Sequence, residues 1–232
     1  MGSSPLVSVI IPVKNGGRFL ASAIRSVLEQ DYKDLEIIVI DGKSKDDTER
    51  IAKSFQNVRY VLQTDDGFGS ALNTGIDLSK GELIAFMSCD DLWESNKLSL
   101  QVDYLLKHRD VQYTIAKVKF FLEEGSTIPP GFRKGLLVGC HNGYMPEALL
   151  VRKSVFDLIG KFDAGVKVSA DVDWFAMAKD RHIPMAIIPE ILLHKRVHHA
   201  STTLAPLQVR TINHELLRCL KKSIDRQKKD GS

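Results

Sequence analysis

The sequence predicts an α/β fold in which a mainly parallel sheet is flanked by helices in a single domain. In the first half, short β-branched runs alternate with segments whose apolar residues recur at helical spacing, which is typical of strand–helix–strand units. The predicted strands are almost wholly apolar, as expected when helices cover both faces of a parallel sheet. No linker rich in proline, glycine or serine divides the 232 residues, so one domain is expected.

The first half is predicted to contain four strands and four helices. The strands are residues 7–11, 35–40, 58–62 and 83–87, and the helices are residues 19–28, 44–55, 70–78 and 96–107. Ser44 is predicted to cap the second helix because Asp47 follows three residues later, as in a capping box. Residues 6–110 are therefore expected to form a nucleotide-binding half built from βαβ units.

The second half is less regular. Its predicted elements are a long strand at 111–122, a loop at 123–135, short helices at 153–159 and 173–179, an extended segment at 187–197 and a terminal helix at 207–229. We expect residues 111–203 to complete the same sheet as a second half, to which the family resemblance described below assigns the acceptor and catalytic groups. Residues 204–232 form a C-terminal segment with a basic helix.

Composition excludes several classes of protein. Lysine and arginine number 32 against 29 aspartates and glutamates, a balance too even for a nucleic-acid-binding protein. The three cysteines, Cys89, Cys140 and Cys219, form no C-x-x-C pair, which indicates a reducing compartment. No apolar run reaches the roughly 18 residues of a membrane helix, and the N-terminus has no secretion signal. A cytoplasmic protein is expected.

Polar residues follow each predicted strand of the first half. Ligands of open parallel sheets bind beyond the carboxyl ends of the strands. The residues at those ends are Lys14 and Asn15, then Asp41, then Asp65 and Asp66, and then Asp90 and Asp91. Clustered carboxylates repel one another unless a cation or hydrogen-bond donors compensate them. Mg²⁺ and Mn²⁺ bridge such carboxylates to a diphosphate, so a nucleotide site with a divalent cation is predicted. The alternative is that Asp and Asn merely suit turns.

The loop after the first strand narrows the kind of nucleotide site. Residues 12–17, PVKNGG, match neither the G-x-G-x-x-G fingerprint of dinucleotide-binding folds nor the G-x-x-x-x-G-K-[ST] phosphate loop. A glycine cradle for the diphosphate is therefore not expected. Metal and side chains are predicted to bind it instead.

Seven segments of the chain, taken together, resemble one known family. They are VIIPVKN at 9–15, IDGKSKDDT at 40–48, GFGSALNTG at 67–75, GELIAFMSCDD at 81–91, GKFD at 160–163, ADVDW at 170–174 and KRVH at 195–198. Their order and spacing resemble the family 2 glycosyltransferases, inverting enzymes with the GT-A fold, over about residues 6–203. The resemblance implies transfer of a sugar from a nucleotide-diphosphate sugar, most commonly a UDP-sugar, to a hydroxyl of a glycan or lipid-linked saccharide.

The resemblance also implies which residues bind the nucleotide. Pro12, Val13 and Asn15 would line the nucleotide pocket, and Asp41 would contact the base or ribose. Asp65 would form part of the pocket wall.

Catalytic, metal-binding and sugar-binding roles follow from the same resemblance. Asp90 would bind both nucleotide and metal as a member of the DxD motif, with His198 as a second contact to the Mn²⁺ or Mg²⁺ ion or the diphosphate. Asp171 would be the general base that deprotonates the acceptor hydroxyl. The expected contacts to donor sugar or acceptor are Asn73, Asp91 and Trp174.

Three departures from the family pattern keep other functions open. Ser88 replaces the first Asp of DxD, Leu72 replaces an Arg, and Ala170 replaces an acidic residue. A non-catalytic nucleotide-sugar-binding module would show such losses. A sugar-nucleotide nucleotidyltransferase has a similar sheet, but it needs a glycine-rich basic loop after the first strand, which Gly16-Gly17-Arg18 imitates poorly.

The C-terminal helix is strongly basic at its end. Its cations are Arg218, Lys221, Lys222, Arg226, Lys228 and Lys229. Such a run is usually a solvated helix face. With a lipid-linked acceptor it would also hold the protein to the inner face of an anionic membrane.

Overall fold

The computed structural model describes residues 4–166, 169–200 and 206–230, and these contain nine strands and seven helices. The strands are β1 (Val7–Val13), β2 (Leu35–Asp41), β3 (Val58–Leu62), β4 (Leu83–Phe86), β5 (Leu92–Trp93), β6 (Tyr113–Leu122), β7 (His141–Asn142), β8 (Leu149–Arg152) and β9 (Met185–Val197). The helices are α1 (Leu20–Leu28), α2 (Thr48–Lys53), α3 (Phe68–Leu78), α4 (Lys97–Lys107), α5 (Ser154–Ile159), α6 (Ala170–Asp180) and α7 (Pro206–Asp230). The predicted elements therefore form, with shifted boundaries.

All nine strands belong to one sheet. Its order is β3-β2-β1-β4-β8-β6-β9-β5, and β7 pairs with β6. Strands β1 to β4 pair with one another in parallel, as predicted for the nucleotide-binding half. In the second half β8 runs antiparallel to both β4 and β6, whereas β6 and β9 pair in parallel. The α/β prediction is thus confirmed, and the sheet is mixed beyond β4.

Strands β1, β2 and β4 are mostly apolar because both of their faces are buried, whereas the edge strand β3 is partly exposed. Side chains alternate between the two faces of a strand. Val9 and Ile11 of β1 belong to a core cluster with α1 and α4, whereas Ile10 belongs to a second cluster with α3, α5 and α6. Gly75 allows α3 to approach β1 closely, since a Cβ atom there would lie 2.3 Å from Ile10 Cγ2.

The second helix begins later than the sequence predicts. Helix α2 starts at Thr48, with Asp47 at its N-cap position, so the predicted capping role of Ser44 is wrong. The Ser44 hydroxyl instead accepts a hydrogen bond from the backbone N–H of Asn15 at 2.7 Å. A partner 29 residues away therefore replaces the local one that the capping-box pattern indicates.

Helix α7 packs against α6 through buried polar contacts. Asp180 accepts hydrogen bonds from Ser223, Arg226 and Gln227. Lys222 forms ion pairs with Asp163 and Asp173. Within the ranges given above, no helix is long and apolar enough to cross a membrane.

Candidate active site

The carboxyl ends of β1 and β2 are joined by hydrogen bonds that fix the loop after β1. Val13 O accepts a hydrogen bond from Gly42 N at 2.8 Å, which continues the β1–β2 hydrogen-bond ladder beyond the end of β2. Asn15 has a φ of 53° and accepts a hydrogen bond from Lys45 N through its side-chain oxygen at 2.8 Å. Pro12 is half-buried and Val13 is buried. Three of the predicted nucleotide-binding residues thus lie together at one edge of the sheet.

Asp41 ends β2 and is almost fully buried at 1% exposure. Its carboxylate accepts hydrogen bonds from Ser44 N and from the Tyr60 hydroxyl, both at 2.8 Å. The predicted contact with base or ribose stays a prediction. What the geometry shows is that Asp41 anchors the β2–α2 loop beside Asn15.

Asp90 follows β4 and meets His198, which follows β9. His198 Nε2 lies 2.9 Å from Asp90 Oδ2, and the Ser88 hydroxyl donates to Oδ1. Burial alone would raise the pKa of Asp90, but the hydrogen bond from His198, the charge of Lys195 and the Ser88 hydrogen bond outweigh it and lower the pKa to about 2. Asp90 is therefore ionised at physiological pH.

Asp91 follows Asp90 in the chain and is almost fully buried, with 1% exposure. Its carboxylate accepts hydrogen bonds from Lys195 Nζ at 2.8 Å and from Arg196 N at 2.9 Å. Lys195 also pairs with Glu147 at 3.3 Å. Burial by itself would lower the pKa of Lys195, but Asp91, Glu147 and Asp90 raise it above its ordinary value. Asp91 therefore orients Lys195 and the end of β9, and its predicted direct contact with a sugar is not seen.

Asp171 lies in the first turn of α6. Burial and the negative charge of Glu147 raise its pKa to about 6, against the opposing effects of backbone N–H groups and the charge of Lys195. The charge of Lys195 lowers the pKa of both Asp90 and Asp171, so both carboxylates lie within electrostatic range of one ammonium group. A carboxyl with a pKa near 6 is well matched to a general base at neutral pH.

The Asp90–His198 pair suits a divalent cation bound jointly with a diphosphate. In an octahedral site with ligands at about 2.1 Å, neighbouring ligand atoms are about 3 Å apart, and Nε2 of His198 and Oδ2 of Asp90 are 2.9 Å apart. Among the described residues no three His, Cys, Asp or Glu side chains gather into a metal-binding group. Diphosphate and water oxygens would therefore supply the other ligands, as Mg²⁺ sites commonly arrange.

Three predicted site residues have other surroundings in the structure. Trp174 is 1% exposed, packs in the core and donates a hydrogen bond to Gly160 O, and its predicted contact with sugar or acceptor stays a prediction. Asn73 exchanges hydrogen bonds with the backbone of Phe162, which ties α3 to the loop before α6. Asp65 is exposed in the β3–α3 loop. Burial of Trp174 follows from its aromatic neighbours, which no local pattern reveals.

Sequence reasoning missed Glu147 and Lys195 as members of this site. Glu147 belongs to a short 3₁₀ turn, Pro146–Ala148, before the unpredicted strand β8. Lys195 falls in the KRVH segment, where only the histidine received a role. Its place in the same motif segment as His198, three residues before the histidine, is the one signal that could have singled it out.

Comparison with known proteins decides the family. Residues 8–160 match the family model described as glycosyl transferase family 2. The chain belongs to glycosyltransferase family 2. An uncharacterized glycosyltransferase of Rickettsia typhi is 36% identical over 222 residues, covering 86% of this chain and 66% of that protein. UDP-Glc:α-D-GlcNAc-diphosphoundecaprenol β-1,3-glucosyltransferase of Escherichia coli is 37% identical over 106 residues, 44% of this chain and 42% of that protein.

Solved structures show the same fold for this family 2 glycosyltransferase. A mannosyltransferase of Pyrobaculum calidifontis, in complex with GDP-Man and Mn²⁺, superposes with a TM-score of 0.72 at 19% identity, covering 96% of this chain and 65% of that one. The predicted GT-A fold is confirmed. This chain spans slightly less than two thirds of the length of the Rickettsia relative. The comparisons do not favour the nucleotidyltransferase alternative.

The raised pKa of Asp171 leads to a prediction about pH. The transfer rate is expected to rise with pH through about 6, because only the ionised carboxylate accepts a proton. Glu147→Gln is expected to move this rise in rate to lower pH, because the negative charge of Glu147 raises the pKa of Asp171. Without that charge, Lys195 also lowers the pKa of Asp171 more effectively. The pH profile of kcat measures the shift. Glu190→Gln, at an exposed position of β9, is the control, and an unmoved limb in Glu147→Gln contradicts the prediction.

Proposed function

We propose that this family 2 glycosyltransferase is an inverting, metal-dependent enzyme that transfers a sugar from a UDP-sugar to a hydroxyl of a glycan or lipid-linked saccharide. Two features of the site carry the proposal. Asp90 is ionised and contacts His198, and Asp171 is a carboxylate of raised pKa. The charge of Lys195 acts on both carboxylates. The Asp90–His198 pair suits a cation bound to the leaving diphosphate, and the Asp171 carboxylate suits abstraction of a proton. Lys195 adds positive charge between them.

The cofactor in this proposal is Mn²⁺ or Mg²⁺, held by Asp90 and His198. When bound, the cation would neutralise charge that develops on the leaving diphosphate. The complex of the similar mannosyltransferase with GDP-Man and Mn²⁺ supports this choice of cofactor. Asp90 brings a full negative charge to the cation, because its pKa of about 2 keeps it ionised.

Asp171 acts in this proposal as the base for the acceptor hydroxyl. Its pKa of about 6 leaves it mostly ionised at neutral pH and still basic enough to accept a proton as the hydroxyl attacks. Attack from the face opposite the leaving diphosphate inverts the anomeric carbon. Both reactants must be aligned for this displacement, which the position of Asp171 at the start of α6 assists.

The donor nucleotide is proposed to lie along the ends of β1, β2 and β3. Pro12, Val13, Asn15, Asp41 and Asp65 would line its pocket. Support for a uridine nucleotide comes from the UDP-Glc that the Escherichia coli relative uses by name. That relative also acts on a diphosphoundecaprenol-linked sugar, which supports a lipid-linked acceptor.

A thermal-shift panel of nucleoside diphosphates, each with and without Mn²⁺ or Mg²⁺, tests the donor site. A ligand that binds only the native state raises the melting temperature, and UDP with Mn²⁺ is expected to give the largest rise. Hydrolysis of UDP-sugars in the presence of Mn²⁺ then separates an enzyme from a non-catalytic binding module. A melting temperature that no nucleotide moves, together with absent hydrolysis, would contradict the proposal.

We further propose that the protein is cytoplasmic and contacts the inner membrane face through α7. Leu217, Leu220 and Ile224 lie on one face of α7 and are 68%, 58% and 44% exposed, and the exposed Lys221 lies beside them. An amphipathic helix with lysine at the edge of its apolar face suits an anionic lipid surface. Leu217→Glu is expected to reduce co-sedimentation with phosphatidylglycerol vesicles, while Leu158→Glu, at a 66% exposed site on α5, leaves it unchanged. Equal binding by both variants contradicts this proposal.

A further inference from the structure

Arg196 lies near the end of β9, between Lys195 and His198 in the chain. Its side chain is only 10% exposed, although it carries a permanent charge. Buried charges are costly unless they are paired and hydrogen-bonded. The partners of Arg196 therefore indicate what its burial achieves.

Two of these partners are the consecutive aspartates after β4. Arg196 Nε donates to the backbone carbonyl of Asp90 at 2.9 Å, and Arg196 N donates to the Asp91 carboxylate at 2.9 Å. The first bond holds the main chain that presents the Asp90 carboxylate, and the second holds the side chain of the next residue. Side-chain and backbone groups of one residue thus fix the position of the proposed metal ligand.

The guanidinium group contacts two phenylalanine rings. Arg196 Cζ lies 4.7 Å from the ring centroid of Phe19 and 4.8 Å from that of Phe121. Phe19 also contacts the imidazole of His198, with centroids 4.9 Å apart. Arg196 therefore holds Phe19 against the His198 ring, whose Nε2 faces Asp90 and whose buried Nδ1 has no hydrogen-bond partner in the described part of the chain.

A third contact connects Arg196 to the start of the loop after β6. Its Nη1 pairs with Glu123 Oε1 at 3.2 Å, and Glu123 Oε2 pairs with Arg18 at 2.9 Å. Arg18 precedes α1, so Glu123 bridges the nucleotide-binding half and β9. These contacts use two different nitrogens of the guanidinium group, to Asp90 O and to Glu123, together with two aromatic rings, and the single ammonium of a lysine cannot replace them.

We propose that Arg196 is a positioning residue that holds Asp90 and His198 at the separation required to bind a divalent cation together. It touches neither cation nor substrate. It acts by bonding the Asp90 main chain and by holding Phe19 against His198. This inference rests on the proposed metal-dependent function, and it adds a residue that the metal site needs besides its two ligands.

The test measures Mn²⁺ binding to the 232-residue chain in the presence of saturating UDP, by the electron paramagnetic resonance signal of free Mn²⁺. Arg196→Lys keeps the charge and is expected to weaken Mn²⁺ binding at least tenfold. The matched control is Arg152→Lys, because Arg152 is also half-buried and donates to two backbone carbonyls, those of Leu105 and Val111. The control is expected to lower the melting temperature by a similar amount and to leave Mn²⁺ affinity unchanged.

A second measurement follows the His198 ring without metal. The protein is labelled with ¹⁵N at histidine, and a His198→Gln sample identifies the His198 signal. The wild type is expected to show an Nε2 proton that is protected from exchange with water. In Arg196→Lys this protection is expected to be lost. Wild-type Mn²⁺ affinity in Arg196→Lys, or an equal loss in Arg152→Lys, overturns the role of Arg196. If the wild type binds no Mn²⁺ in the presence of UDP, the proposed function is contradicted. The positioning role is tested separately, because an unchanged His198 signal in Arg196→Lys overturns it.

Discussion

Replacing Asp171 with asparagine is expected to abolish nearly all sugar transfer while nucleotide binding stays close to that of the wild type. Asparagine retains the shape of the side chain, and the loss of a negative charge from the first turn of a helix costs only about 0.3–1 kcal/mol, so α6 should still fold. It cannot accept the acceptor proton, however. Loss of a general base typically lowers rates by about 10²- to 10⁴-fold.

The measurement compares kcat with the affinity for UDP in the same Asp171→Asn preparation. Asp157→Asn is the matched control because Asp157 lies in the first turn of α5 and is exposed, so it reports any general effect of removing a carboxylate from a helix start. We expect the control to transfer sugar at the wild-type rate. Full turnover by Asp171→Asn would exclude Asp171 as the base.

Replacing Asp90 with alanine is expected to remove the dependence of nucleotide binding on divalent metal. Asp90 is the only carboxylate of the proposed cation pair, and its pKa of about 2 means that a full charge is lost. Substitution of a residue that only hydrogen-bonds to a metal ligand lowers metal affinity by about 10- to 100-fold. Loss of the ligand itself should lower it at least as much.

Calorimetric titration of UDP with and without Mn²⁺ measures this effect. The wild type is expected to bind UDP more tightly with Mn²⁺, and Asp90→Ala to bind it with one weak affinity under both conditions. Asp103→Ala, at an exposed ion pair on α4, provides the control. Manganese that strengthens UDP binding to Asp90→Ala as much as to the wild type would rule out the assignment of Asp90.

Most of the fold could be predicted because its signals are local. Strands β1 to β4 and the helices between them follow from runs and periodicities within about ten residues. Strand β8 was missed because its four residues carry too little pattern, and its direction depends on β4 and β6. The late start of α2 was missed because the Ser44 hydroxyl binds the distant Asn15.

The site was predicted in part. The motifs indicated Asp90, His198 and Asp171, and the structure brings Asp90 and His198 into contact. Motif order could not indicate that Trp174 belongs to the core, or that Glu147 and Lys195 set the charge around Asp171. Each of these facts depends on residues that meet only after the sheet has formed.

By itself, the sequence determined the α/β fold, the family and the strand ends at which carboxylates collect, because strand and helix periodicity and short motifs act over neighbouring residues. Only the tertiary structure decided which of those carboxylates have a lowered or raised pKa and which side chains they meet. Asp90 meets His198 across 108 positions of the chain, and Asp91 meets Lys195 across 104. Burial and charge at such contacts depend on the complete packing of β4 against β8, β6 and β9, which no local pattern encodes.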